Sequence, residues 1–137
     1  MIKLGDWNTL NADAKLIRFE VFVQEQNVPP ELEMDHMDAV CLHAVAYDEA
    51  GVPVGTGRLL PDGHIGRMAV RKLGRGNGVG GALLQALMAQ ARSRGDKVVV
   101  LSAQTHAAPF YQRHGFSIDG EEFYEAGIPH INMRHTF

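Results

Sequence analysis

Apolar residues stand at every fourth position from Val79 to Ala91 (Val79, Leu83, Leu87, Ala91), with Leu84 and Met88 beside them. That spacing predicts a helix with one apolar face, and Gly95 is placed to end it. The run "KVVVLSA" (Lys97–Ala103) is almost wholly apolar, the pattern of a strand buried on both faces. Upstream, "CLHAVAYDEAGVPVGTGRLL" (Cys41–Leu60) alternates enough for two strands about the turn "DEAG". "PDG" then turns the chain into a third strand, "HIGRMAV" (His64–Val70). Near the start, "MIKLGDW" reads as a short strand. Asn11 or Asp13 is placed to cap a helix running to about Gln24, with Leu16, Ile17, Phe19 and Val23 supplying apolar surface. Two prolines and many acids make "NVPPELEMDHMD" (Asn27–Asp38) a loop. "APFYQRHG" (Ala108–Gly115) fits a short helix with Pro109 in its first turn and Gly115 at its end. "FSIDGEEF" and "PHINMRHTF" close the chain as strands. The predicted order, β-α-β-β-β-α-β-α-β-β, describes an α/β domain with a mixed central sheet flanked by helices.

A chain of 137 residues favours a single domain over residues 1–137. Cys41 is the sole cysteine, so no disulfide framework is available and a reducing, cytoplasmic setting is expected. The first fifteen residues lack an apolar signal core, and no apolar run approaches ~18 residues, so no membrane partner is expected. A net charge of -3 argues against nucleic acid as the partner. The charge is unevenly spread. Phe19–Gly57 holds eight acids (Glu20, Glu25, Glu31, Glu33, Asp35, Asp38, Asp48, Glu49) and no Lys or Arg. Arg58–Lys97 holds eight bases, opposed by Asp62 and Asp96 alone. The first segment suits a cation and the second an anion, unless these charges are merely solvated.

The basic segment contains "LGRGNGVGGALL", with a literal G-x-G-x-x-G at Gly76, Gly78 and Gly81. A dinucleotide loop would follow its strand directly and be answered by an acid about 20 residues on. Here "RKLGR" intervenes, and "VVVLSA" ends without an acid. A mononucleotide loop would need Lys-Ser or Lys-Thr after the glycines, and neither is present. What remains is a run of backbone N–H groups leading into a helix N-terminus, an anion site on general grounds. Gly78, Gly80 and Gly81 remove side chains that would hold a pyrophosphate away, and Arg75 adds a cation.

"RGNGVG" (Arg75–Gly80) matches the R/Q-x-x-G-x-G/A signature of the GCN5-related N-acetyltransferases. "HIGRMAV" and "VVVLSAQTHAAPFYQRHGF" (Val98–Phe116) resemble that family's donor-facing strand, its next strand and its following helix. The flanks "VFVQEQNVPPELEMD" and "EAGIPHINM" resemble a subgroup of small bacterial acetyltransferases. The resemblance implies acetyl-coenzyme A as co-substrate and a small-molecule primary amine as acceptor. It implies a cradle formed by Arg75, Gly76, Asn77, Gly78, Val79, Gly80 and Gly81, with the backbone of Met68, Ala69 and Val70 along the pantetheine arm. Dimers are common in such families, so a homodimer stays open.

Acetyl transfer needs a deprotonated amine, a polarised thioester carbonyl and a proton for the departing thiolate. The resemblance puts Tyr111 near the coenzyme sulfur, as the candidate acid. Glu25, in the base-free acidic segment, and His130, which shares a strand face with Asn132 and Arg134, are alternative bases. Gln104 follows the apolar strand and is a candidate contact for coenzyme or acceptor. Glu33 and Asp35 are candidates for attracting a cationic acceptor. With His36 and Asp38 they lack the EF-hand spacing, and no H-E-x-x-H occurs, so no metal is expected. Cys41 lies far before the donor region, which disfavours an acetyl-cysteine route. The rival readings are a non-catalytic acyl-coenzyme-A sensor and a nucleotide-binding module.

Overall fold

Thr9 gives both its backbone N–H (2.9 Å) and its hydroxyl (2.8 Å) to the Asp6 carboxylate. Helix α1 (Trp7–Arg18) therefore starts at Trp7 with Asp6 as its cap, earlier than an Asn11 or Asp13 cap would allow. The buried stripe is Leu10, Ala14, Ile17 and Val21, whereas Leu16 is 50% and Phe19 47% exposed. Spacings of four, three and four residues keep that stripe facing one way. A π-helical turn (Phe19–Glu25) continues α1. The computed structural model describes residues 1–137.

Two antiparallel sheets follow. The first runs in the order β1 (Ile2–Gly5), β2 (Leu42–Tyr47), β3 (Pro53–Leu59), β4 (Ile65–Val70). In the second, β5 (Val98–Gln104) and β6 (Ser117–Ile118) flank β8 (Ile128–Thr136), and β7 (Phe123–Glu125) also pairs with β8. The two sheets meet through a parallel bridge between His64 and Val100, supported by Val100 N–H on Gly63 O at 3.1 Å. This makes the central sheet mixed. It also places β4 and β5 as neighbours that touch at their starts. On β5, Val99, Leu101 and Ala103 are buried while Ser102 is exposed, so one face is covered and not both. Its apolar run reflects valines whose alternate members are only half-buried.

Helix α3 (Val79–Ser93) buries Leu83, Leu84, Leu87, Met88 and Ala91 against one face of the first sheet and against β5. Helix α1 covers the opposite face, where its stripe meets Val45 and Ala69. Close approach of α3 needs glycine on β3. A Cβ at Gly55 would come within 2.8 Å of Leu83 Cδ1, and one at Gly57 would collide with Met68 Sδ. Helix α4 (Ala108–Arg113) follows a short 3-10 turn after β5.

The segment expected as a loop holds a short helix, α2 (Pro30–Glu33), and a 3-10 turn (His36–Val40). Distant arginines order it. Arg18, 1% exposed, lies between the Glu33 carboxylate and Asp38, reaching Asp38 at 2.9 and 3.1 Å. Arg58 makes two 2.7 Å bonds to Asp35 and one of 2.9 Å to Asp38. Arg67 donates to Glu33 O at 3.1 Å and to Asp35 at 3.2 Å. The His43 ring gives a proton to Asp38 O at 2.9 Å. Three cations thus balance three carboxylates in a cluster whose Arg18, Glu33, Asp38 and Arg58 are buried. Removing one of those four would strand a buried charge, at a cost of about 3–5 kcal/mol.

Candidate active site

Beyond the His64–Val100 bridge, β4 and β5 form no further pairs, so each leaves one edge unpaired toward the other. β4 itself is irregular. Thr56 pairs with Ala69 and Arg58 with Gly66, so Gly57 stands opposite two residues, Arg67 and Met68. This is a β-bulge, which leaves backbone groups out of the ladder and re-aims those that follow. Arg67 carries it with φ of 50°. Met68 and Val70 pack on the α3 side, and Ala69 on the α1 side.

At the end of β4 the chain turns through Lys72–Gly74 into the glycine loop. Gly76 (φ 84°) and Gly78 (φ 74°) are both left-handed, and a Cβ on either would meet nothing within 4 Å. Their N–H groups and the first turn of α3 form a nest for an anion. No side chain caps α3, and its first turn has no acid, so its orphan N–H groups are available. Gly80 and Gly81 lie in the first turn of α3, on the side where Phe110 and His114 pack. A Cβ at Gly80 would lie 3.6 Å from Phe110 Cζ and 3.7 Å from Val70 Cγ2, and one at Gly81 would lie 3.2 Å from His114 Nε2. A methyl at Gly80 would make ordinary contacts, whereas one at Gly81 would press on the His114 ring, and Gly76 and Gly78 shape the loop.

Arg75 staples the loop in place. Its Nε donates to Val70 O at 2.9 Å and its Nη2 to Glu25 at 2.8 Å. Nearby, Arg71 holds Glu20 through bonds of 2.8 and 3.2 Å. The π-helical turn is thereby tied along the glycine loop, and an open cavity of about 410 Å³ lies at this seam, lined by Glu20, Gln24, Glu25, Lys72 and Leu73. The turn's far end reaches the other strand, where Gln104 Nε2 donates to Gln26 Oε1 at 2.8 Å. Glu25 consequently sits against the loop cation. The Arg75 hydrogen bond holds its carboxyl below the usual range, which weakens it as a base.

Tyr111 extends from α4, half-buried, edge-on to Phe110 and Phe116. Burial pushes its hydroxyl up to about 12. The phenol is thus neutral over the whole physiological range. His130 is paired across the ladder with Gln104, buried to 9% exposure and stacked on Phe123. Its Nδ1 lies 2.7 Å from Ile128 O. A proton on Nδ1, donated to that carbonyl, leaves Nε2 as the basic nitrogen. The Glu125 carboxylate stands 3.8 Å from Nε2.

The structure brings together the β4 edge, the glycine loop, Gln104 and Glu25. Glu33 and Asp35 behave differently from the free acids expected to draw in a cation. Glu33 is 6% exposed and bound to Arg18, and Arg58 holds Asp35 far below the usual carboxylate range. Sequence reasoning missed Gln26, Arg67 and Arg71. Only their contacts with distant residues single them out, so no local pattern marks them.

Residues 10–137 match the family described as the acetyltransferase (GNAT) domain. The uncharacterized N-acetyltransferase YjcF of Bacillus subtilis is 46% identical over 125 residues, covering 88% of this chain and 89% of that protein. Among solved structures, an acyl-CoA N-acyltransferase from Pseudomonas aeruginosa superposes with a TM-score of 0.85 at 34% identity, covering 99% of both chains. ElaA of Escherichia coli gives a TM-score of 0.88 at 29% identity, covering 98% of this chain and 99% of that one.

Proposed function

The chain belongs to the GNAT acetyltransferase family and is an N-acetyltransferase using acyl-CoA; from that premise we propose that it transfers acetyl directly from acetyl-coenzyme A to a primary amine. The observation that carries this reading is the unpaired edge of β4 beside β5, followed by left-handed glycines before an uncapped helix. The residues present fit the donor. The nest and Arg75 take the pyrophosphate, and the β4 backbone from Met68 to Val70 takes the pantetheine amides. A backbone N–H at the bulge polarises the thioester carbonyl, where preorganised donors matter most. Holding donor and amine in contact removes the need for an enzyme nucleophile. Burial disfavours the thiolate of Cys41, which supports direct transfer.

Of the two candidate bases, His130 is the better supported. Its Nε2 carries a lone pair beside the end of β5, while Glu25 is engaged by Arg75. Tyr111 acts as a neutral donor toward the leaving sulfur. The acceptor's own charge is not read from Glu33 and Asp35, because arginines already neutralise them. A screen of polyamines, amino sugars, amino acid derivatives, aminoglycosides and lysine peptides by thiol release tests this reading. Acceptor-dependent release by the wild type, lost in His130→Ala, is the expected result. Tight coenzyme binding without release for any amine would instead make the protein an acyl-coenzyme-A sensor.

A further inference from the structure

Three residues other than glycine have positive φ, and two of them, Asn27 and Ala126, lie outside the strands. The third, Arg67, lies inside β4 at φ 50°. A side chain in the left-handed region is unfavourable, and glycine takes that conformation freely. The neighbouring residue is Gly66, which does not have positive φ and whose added Cβ would meet nothing within 4 Å. On backbone preference alone the bulge would place its left-handed residue at Gly66. It stands one position later.

The Arg67 side chain explains the displacement. Its Nε is bound to Glu33 O at 3.1 Å and its Nη2 to Asp35 at 3.2 Å. Asp35 is fixed in turn by Arg58, and Glu33 by the buried Arg18. A rigid ion cluster on the α1 side therefore grips the strand at its irregular residue. Shifting the left-handed residue to Gly66 would turn the Arg67 guanidinium off this anchor and re-aim the N–H groups that follow it.

We propose that Arg67 is a positioning residue: the Glu33–Asp38 segment, acting through it, sets the bulge so that the Met68 N–H group, on the strand edge away from β3, faces the donor carbonyl. The inference rests on the donor site proposed above. It gives the ion cluster a part in the reaction without any of its groups touching substrate.

The test compares wild type, Arg67→Ala and the double variant Gly66→Ala/Arg67→Gly. The double variant denies the left-handed residue to position 66 and permits it at 67 without the anchor. Amide spectra of the coenzyme A and acetyl-coenzyme A complexes are recorded for each. In wild type, the acetyl group should shift the Met68 amide. Arg67→Ala should lose that shift and lower kcat by about tenfold or more, as ångström-scale misplacement does, with coenzyme A affinity within about twofold of wild type. The double variant should recover both. Retention of the shift in Arg67→Ala overturns the proposal, and so does failure of the double variant to recover it, since the guanidinium itself would then matter. If Arg67→Ala does not fold, the double variant decides alone. Backbone couplings at residue 67 without ligand report the bulge directly. A bulge that moves in Arg67→Ala, in a protein that binds no coenzyme, would uphold the anchor and remove the donor site instead.

Discussion

Replacing Glu25 with Gln should tighten coenzyme A binding. Arg75 Nη2 lies 2.8 Å from Glu25 Oε1, with the arginine side chain 41% and the carboxylate side chain 28% exposed. Exposed pairs of this kind contribute about 0.2–1 kcal/mol. A pyrophosphate seated on the nest competes for the same guanidinium, so the wild type gives up that contribution on binding and the variant has none to give up. The difference corresponds to a Kd lower by about 1.4- to 5-fold in Glu25→Gln. Screening should shrink the gain as salt rises from about 50 to about 500 mM. Calorimetric titration of coenzyme A into both proteins at the two salt levels measures it. Weaker binding by the variant, or a gain indifferent to salt, would refute the competition. A large loss of kcat with unchanged affinity would go further and restore Glu25 as the base.

Tyr111→Phe should lower kcat by roughly 10- to 150-fold, the value of a hydrogen bond to a charged group, about 1.5–3 kcal/mol, while KM for acetyl-coenzyme A stays near wild type. With the phenol pushed up to about 12 and a thiol near ~8.5, full proton transfer to the thiolate is uphill, so Tyr111 serves as a hydrogen-bond donor and wild-type turnover in the variant would exclude it. Gly57→Ala places a methyl against Met68 and within 2.9 Å of Leu87 Cδ1. It should cost about 1–3 kcal/mol in urea unfolding, and an unchanged midpoint would falsify the packing argument. Burial lowers the His43 pKa. Its contribution to stability is then complete above the unfolded value of ~6.5 and falls as pH drops below it. Replacing His43 with Gln should flatten the stability profile between about pH 7 and 5, which thermal melts across that range would check.

Much of the scaffold was legible because its elements declare themselves locally. The four-residue spacing from Val79 to Ala91 is the buried face of α3, and "DEAG" lies in the turn between β2 and β3. Pro109 and Gly115 bracket α4 where a first turn and a stop belong. The start of α1 was misjudged because Asp6 finds Thr9 before either later residue can act as a cap. The harder failure concerned charge. The acid-rich and base-rich segments invite two external ligands, yet Arg58, Arg67, Arg71 and Arg75 all turn to acids of the first segment. An ion pair between residues 23 to 51 positions apart has no local signature. The same holds for the Gln26–Gln104 bond.

The lack of pairing between β4 and β5 past their bridge has a consequence for solubility as much as for catalysis. Two strands that meet at a single parallel bridge present two open edges to each other, and open edges invite pairing with foreign chains. Here the two edges belong to one molecule and stay unpaired beyond that bridge, and the bulge keeps one of them from lying flat. A donor whose linear arm carries its own amides would act as a temporary strand between them. Binding would then complete a continuous sheet, and hydrogen exchange at Met68–Val70 and Ser102–Gln104 should slow together when it does.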